Sequence, residues 1–153
     1  NIGPKRKEGD YQVPEGFYYI SAYNPVSSYH LSMMVNYPNK SDKILSKASK
    51  LGGNICIHGS CVTIGCVPLT DDKIKELYIC CIEAKNNGQH KIPVTFYPCK
   101  LTEANYKNLI SKYKQETTTC NVWTDLKKGF DIFSTTHILP KVTILENGRY
   151  DVK

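Results

Sequence analysis

Apolar and polar positions alternate through residues 29–37. Tyr29, Leu31, Met33, Val35 and Tyr37 fall on one face, the period of a half-buried strand. Residues 17–23, aromatic and apolar, predict another strand, and Asn24-Pro25 supplies a turn between the two. Ser41-Asp42 can cap a helix that runs to residue 51 and closes on Gly52-Gly53. Residues 54–58 read as a short strand with Ile55 and Ile57 on one face and Cys56 and His58 on the other. Thr70 caps a second helix, Asp71 and Asp72 favour its dipole, and Ile74, Leu77, Tyr78, Cys81 and Ile82 form its apolar stripe. Residues 91–97 predict a strand. Tyr106, Leu109, Ile110 and Tyr113 mark a third helix, and Trp123, Leu126, Phe130, Phe133 and His137 a fourth. Residues 141–145 form a strand that Asn147-Gly148 turns into Tyr150-Asp151-Val152. The sum is an α+β chain, strands first and helices inserted later.

Length and composition narrow this picture. At 153 residues, 41% hydrophobic and 22% charged, the chain fits one ordinary globular domain spanning residues 1–153. No repeat, linker or low-complexity segment divides it. No apolar run is long enough to span a bilayer. The chain shows no signal peptide and opens on Asn1, which reads as a processed or truncated product. The net charge of +6 is scattered and no nucleic-acid-binding motif accompanies it, so the expectation is no nucleic acid, while a polyanionic polymer stays compatible. Seven cysteines at irregular spacings do not make a secreted disulfide framework.

Chemistry concentrates at residues 58–69. Cys66 follows Gly65 and precedes the Thr70 helix, whose N-terminal dipole would favour a thiolate. Gly65 permits a tight bend that could aim N–H groups at a developing oxyanion. His58 ends a strand and could act as general base, with the Gly59 carbonyl orienting its other nitrogen. Spacing alone does not select catalysis, because local Cys–His pairs arise by chance in a Cys-rich chain. Cys56, His58, Cys61 and Cys66 are also adequate for tetrahedral zinc, although their spacing matches no common knuckle or ribbon. That alternative is a zinc-stabilised module that binds envelope polymers without chemistry. Cys61, close to Cys66 in sequence, could form a disulfide with it under oxidation, but a simply packed side chain is the favoured reading.

A wider pattern bears on the choice. Gly3-Pro4-Lys5, Glu8-Gly9-Asp10 and Gln12-Val13-Pro14-Glu15-Gly16-Phe17-Tyr18 come first, followed by Asn24-Pro25, Ser28-Tyr29-His30-Leu31-Ser32, Asn36-Tyr37-Pro38-Asn39 and Ser41-Asp42. Ile57-His58-Gly59 and Thr63-Ile64-Gly65-Cys66-Val67-Pro68-Leu69-Thr70-Asp71 form the centre, with Ile92-Pro93-Val94 and Asp125-Leu126-Lys127-Lys128-Gly129-Phe130-Asp131 beyond it. Together they resemble the L,D-transpeptidase (YkuD-type) catalytic domain family, in detail its YafK-like branch.

The resemblance implies a β-rich, sandwich-like sheet system with several packed helices, and further strands before Gly3. It implies acyl transfer on peptidoglycan stem peptides in the periplasm or cell envelope of a bacterium, with no cofactor and no metal. By it Cys66 is the nucleophile, His58 the base and the Gly59 carbonyl its orienter. Backbone N–H groups of Ile64, Gly65 and Cys66 form the oxyanion hole, and Thr63, Ser60, Tyr29 and His30 meet substrate. Three departures from most of the family are shared by the branch: a shorter His-to-Cys gap, Ile64 in place of a second His, and Pro68 in place of Arg or Asn. They shift the expectation from cross-link formation or protein attachment by transpeptidation to hydrolytic, amidase-type release of envelope protein covalently attached to peptidoglycan.

Overall fold

The structure is a computed structural model describing residues 3–61, 63 and 65–153. Strand β1 (Gly16–Ser27) turns into β2 (His30–Val35), and a short helix α1 (Lys40–Leu45) follows. Strand β3 (Cys56–His58) and β4 (Val67–Pro68) lead into helix α2 (Asp71–Asn86). Then come β5 (Pro93–Phe96), α3 (Glu103–Lys112), α4 (Thr117–Thr136), β6 (Val142–Ile144) and β7 (Tyr150–Val152). Among the described residues the sheet order is β4-β3-β2-β1-β5, with β6 and β7 a separate antiparallel pair. All neighbours in the larger sheet are antiparallel except β3 and β4, which run parallel. The mixed α+β class expected from the sequence is the one observed.

Periodicity explains most elements. Met33, Val35 and Tyr37 alternate into the core from β2 as expected, and Ile55 and Ile57 do so at β3. These residues meet Ile74 and Cys81 of α2 in one core. A second core forms where α3 and α4 pack on β7, around Leu101, Trp123, Leu126 and Tyr150. Thr70 and Thr102 accept hydrogen bonds from Lys73 and Asn105 as N-caps of α2 and α3. Helix α1 departs from expectation. It starts at Lys40, ahead of the expected Ser41-Asp42 cap, and stops at Leu45 rather than running to residue 51. Asn39 is the N-cap, and Asn39 and Asp42 close a reciprocal capping box. Asp42 is buried there, and that burial raises its carboxyl to about 6 despite the Asn39 N–H bond.

Two buried carboxylates join the halves. Glu15 accepts the Trp123 indole N–H at 2.6 Å, tying the loop before β1 to α4. Asp125 of α4 accepts two hydrogen bonds from the Arg149 guanidinium, at 2.7 and 2.6 Å, and a third from the Tyr150 N–H at 3.0 Å. Gly129 lets α4 approach β1, since a Cβ there would sit 2.8 Å from the Phe17 ring. Removing the Asp125 carboxylate leaves a buried N–H and a guanidinium unpaired. Asp125→Ala therefore lowers stability by about 3 kcal/mol or more, measured by chemical denaturation; a loss within the range of a surface substitution would refute this account.

Candidate active site

The site begins at the parallel pairing of β3 with β4. Ile57 lies opposite Val67 and His58 opposite Pro68, so Cys66 arrives beside Cys56. Parallel neighbours ordinarily need a crossover of a dozen or more residues. Here the chain returns within residues 59–66, and the bends show it: Ser60 has φ of 66° and Gly65 has φ of 128°. The loop is pinned at both ends. The Leu69 N–H donates to the His58 carbonyl at 2.7 Å, and the Ser60 N–H donates to Asp71 at 2.8 Å. Gly59 has no room for a side chain, because a Cβ would sit 2.8 Å from both the Asp71 carboxylate and the Tyr29 carbonyl.

The resulting cluster is tight. One ring nitrogen of His58 and the sulfurs of Cys56 and Cys66 all lie within 4.8 Å of one another. His58 is buried; the two thiols are half-buried. His58 Nδ1 meets the Gly59 carbonyl at 2.5 Å. A carbonyl can only accept, so Nδ1 carries the proton and Nε2 presents its lone pair. The Tyr29 ring covers the imidazole, centroids 4.8 Å apart. Cys56 donates its S–H to the Cys66 sulfur at 3.7 Å, and the Cys66 thiol donates to the Asn54 carbonyl at 3.6 Å.

These neighbours set the thiol's acidity. The Cys56 hydrogen bond, then its backbone N–H and the electrostatic influence of His58 and Lys5, hold Cys66 down at about 6 against the opposing effect of burial. Cys56, as donor, is pushed the other way. Between Cys66 and α2 stand only β4, Leu69 and the cap Thr70. Helix α2 begins next to Ser60, which its Asp71 holds.

Two hollows abut at the sulfur. One, of 430 Å³, lies between Tyr11–Glu15, Val67 and Phe96–Pro98; the other, of 390 Å³, lies between Lys5–Tyr11 and Gly52–Ile55. Tyr11 and Cys66 line both. The opening loop that frames them folds around Asp10, which accepts from Lys5 Nζ and from the N–H groups of Arg6, Lys7 and Gln12. Its Gln12 carbonyl lies 3.3 Å from where a Gly65 Cβ would be, so the loop closes over the turn. A third cavity, of 360 Å³ between β1, β5 and the β6–β7 hairpin, is lined by no thiol or imidazole.

The profile of the L,D-transpeptidase catalytic domain (YkuD) matches residues 1–94. The chain belongs to this family. It is 35% identical over 154 residues to YafK of Escherichia coli strain K12, whose L,D-transpeptidase name is itself provisional, and equally to YafK of strain O157:H7. The match takes in 99% of this chain and 58% of the relative, so the chain spans somewhat over half the length of those proteins. The crystal structure of the helical cell shape determining protein Pgp2 from Campylobacter jejuni aligns with 95% of this chain and 61% of its own, at 20% identity and a TM-score of 0.46. Among the described residues, no helix is long and apolar enough to cross a membrane. The family places the broad chemistry in peptidoglycan-related acyl transfer.

The fold brings most of the sequence-derived site residues together. Cys66, His58 and Gly59 are in contact range as described. Thr63 is exposed and shapes the turn: its Oγ1 donates to the Cys66 carbonyl at 2.9 Å and accepts the Gly65 N–H at 3.2 Å. That Gly65 N–H, expected at an oxyanion, is thus engaged in the resting turn. Ile64 lies outside the described residues. Ser60 spends its N–H on Asp71, and His30, exposed at the β1–β2 turn with φ of 75°, backs onto Gly59. Cys61 is exposed and stands outside the Cys56–His58–Cys66 cluster; the thiol beside Cys66 is Cys56. Asp71 and the opening loop were not singled out as site-forming by the sequence reading. The alternation at residues 54–58 already placed Cys56 on the His58 face, and that was the available signal.

A thiol with a lowered pKa is ionised above about 6 rather than above the ordinary 9.0, so its alkylation rate climbs through pH 6 and is near its plateau at neutrality. Cys56→Ala removes the donor and moves the midpoint upward; Cys56→Ser keeps an O–H donor and moves it less. Iodoacetamide kinetics across pH, read by peptide mass, check this. A native midpoint near 9 would sink it.

Proposed function

We propose that this domain hydrolyses an amide on a peptidoglycan stem peptide through a thioester on Cys66, releasing protein held covalently on the wall. The Cys66 thiolate attacks the carbonyl at the L-centre of the stem's diamino acid. The proton taken up by His58 Nε2 passes to the departing amine as the C–N bond breaks. The Gly59 carbonyl keeps the imidazole in the tautomer that does this. N–H groups of the turn at Ile64, Gly65 and Cys66 are the candidates for the oxyanion, Gly65 after giving up Thr63. Water, deprotonated by His58, then attacks the thioester; the acyl group leaves as a carboxylic acid and the thiol is restored. Tyr29, His30, Ser60 and Thr63 border the reacting groups and are candidate substrate contacts. The compartment this substrate requires is the cell envelope of a bacterium.

The observation that carries the reading is the imidazole–thiol pair itself: a half-buried thiol of lowered pKa within 4.8 Å of a buried, carbonyl-anchored histidine, at the junction of two hollows. The family supports the substrate class; the preference for hydrolysis over cross-linking rests on the short His58-to-Cys66 gap, Ile64 and Pro68 in the sequence.

Defined muropeptides, with and without a protein-linked stem, test it by mass analysis in ¹⁸O-water. Release of the linked protein with ¹⁸O in the new carboxyl is expected. Cys66→Ala loses at least about a thousandfold in rate while its circular dichroism is unchanged. Undiminished turnover by that variant would overturn the reading, and a new amide cross-link in place of a free carboxylate would reassign the reaction to transpeptidation.

A further inference from the structure

We propose that Cys56, His58 and Cys66 form a three-ligand site for a zinc ion, its fourth position open to the hollows, and that occupancy withdraws Cys66 from acyl transfer. The second half rests on the catalytic reading above; the first does not.

The geometry favours the ion closely. Two thiolates at about 2.3 Å from a tetrahedral zinc lie about 3.8 Å apart, and the Cys56 and Cys66 sulfurs are 3.7 Å apart. All three donor atoms lie within 4.8 Å of one another, so the imidazole needs to close by no more than about 1 Å to complete the ligand face. His58 is prepared as metal-binding histidines are: Nδ1 is fixed on the Gly59 carbonyl at 2.5 Å and Nε2 is left to coordinate. A donor set of two sulfurs and one imidazole selects borderline and soft ions and discriminates against magnesium and calcium. Three protein ligands with an open fourth position match an accessible zinc centre rather than a closed structural one. This is not the four-ligand set that sequence spacing allowed, because Cys61 is exposed and outside the cluster.

Binding needs no oxidant or reductant. The Cys56 S–H bond breaks, as does that of any Cys66 still protonated, each proton passes to solvent, and two zinc–sulfur bonds and one zinc–nitrogen bond form. The ion then holds the lone pairs that the nucleophile and the base would use. Cys56, which the acyl-transfer steps do not consume, is what turns a catalytic pair into a chelate.

The test uses the whole chain, reduced and freed of metal, with cobalt(II) as the probe and zinc(II) as its competitor. One cobalt per chain is expected, with the visible bands of tetrahedral coordination and thiolate charge transfer, and one equivalent of zinc bleaches both. Cys56→Ser and Cys66→Ser each weaken binding at least about tenfold and reduce the charge-transfer band, whereas Cys61→Ser binds as the native chain does. Absence of tetrahedral cobalt at one equivalent, unchanged titrations in both serine variants, or loss of binding in Cys61→Ser would each overturn the site. Muropeptide release at full rate by the zinc-loaded protein would overturn the inhibitory half. A native spectrum on a protein that releases nothing even without metal would leave the site standing and strike the catalytic reading alone.

Discussion

A two-residue parallel strand, Val67–Pro68 laid against Ile57–His58, determines everything at the thiol. Without that pairing Cys66 would be a loop residue on a chain that has several exposed cysteines. With it, the sulfur is placed beside the His58 face of β3 and within reach of Cys56. The pairing is expensive in backbone terms, since the chain must reverse within residues 59–66. Gly65 supplies one bend at little cost. Ser60 accepts a less favourable positive φ, offset by its hydrogen bond to Asp71. Gly59 is required for a different reason, the lack of space between α2 and the β1–β2 turn.

Much of the fold was legible because its cores follow simple periods. Met33, Val35 and Tyr37 announce β2, and Ile55 and Ile57 give the inward face of β3. The threonine caps of α2 and α3 were readable from residue type, although only Thr70 was singled out. Helix α1 was misjudged because Asn39, not Ser41 or Asp42, supplies the first cap, with Asp42 as the reciprocal partner three residues on. Nothing in residues 46–51 is strong enough to prolong a helix so short. At the site, the sequence placed His58, Gly59 and Cys66 together and put Cys56 on the His58 face, but it did not show which thiol stands beside Cys66. Alternation gave the face of Cys56; the pairing of β3 with β4, which no local pattern encodes, brought Cys66 to it and left Cys61 outside.

The opening loop is the second contributor. Asp10 gathers one lysine ammonium and three backbone N–H groups, so residues 5–12 behave as a folded unit without being helix or strand. Glu15 then fastens the end of that loop to Trp123, and Asp125 fastens α4 to β7. The walls of the two hollows thereby depend on contacts in the second core, away from the sulfur. Substitutions in α4 can reach the thiol's surroundings by this route with no contact to it.

The junction of the two hollows at Tyr11 and Cys66 has a kinetic meaning. On the thioester route proposed above, a residue bordered by two hollows would give the acyl group separate lanes: one chain would depart along its own channel while the next reactant waits in the other. Double occupancy of that kind would shorten the lifetime of the loaded intermediate, since resolution need not await clearance of a shared doorway.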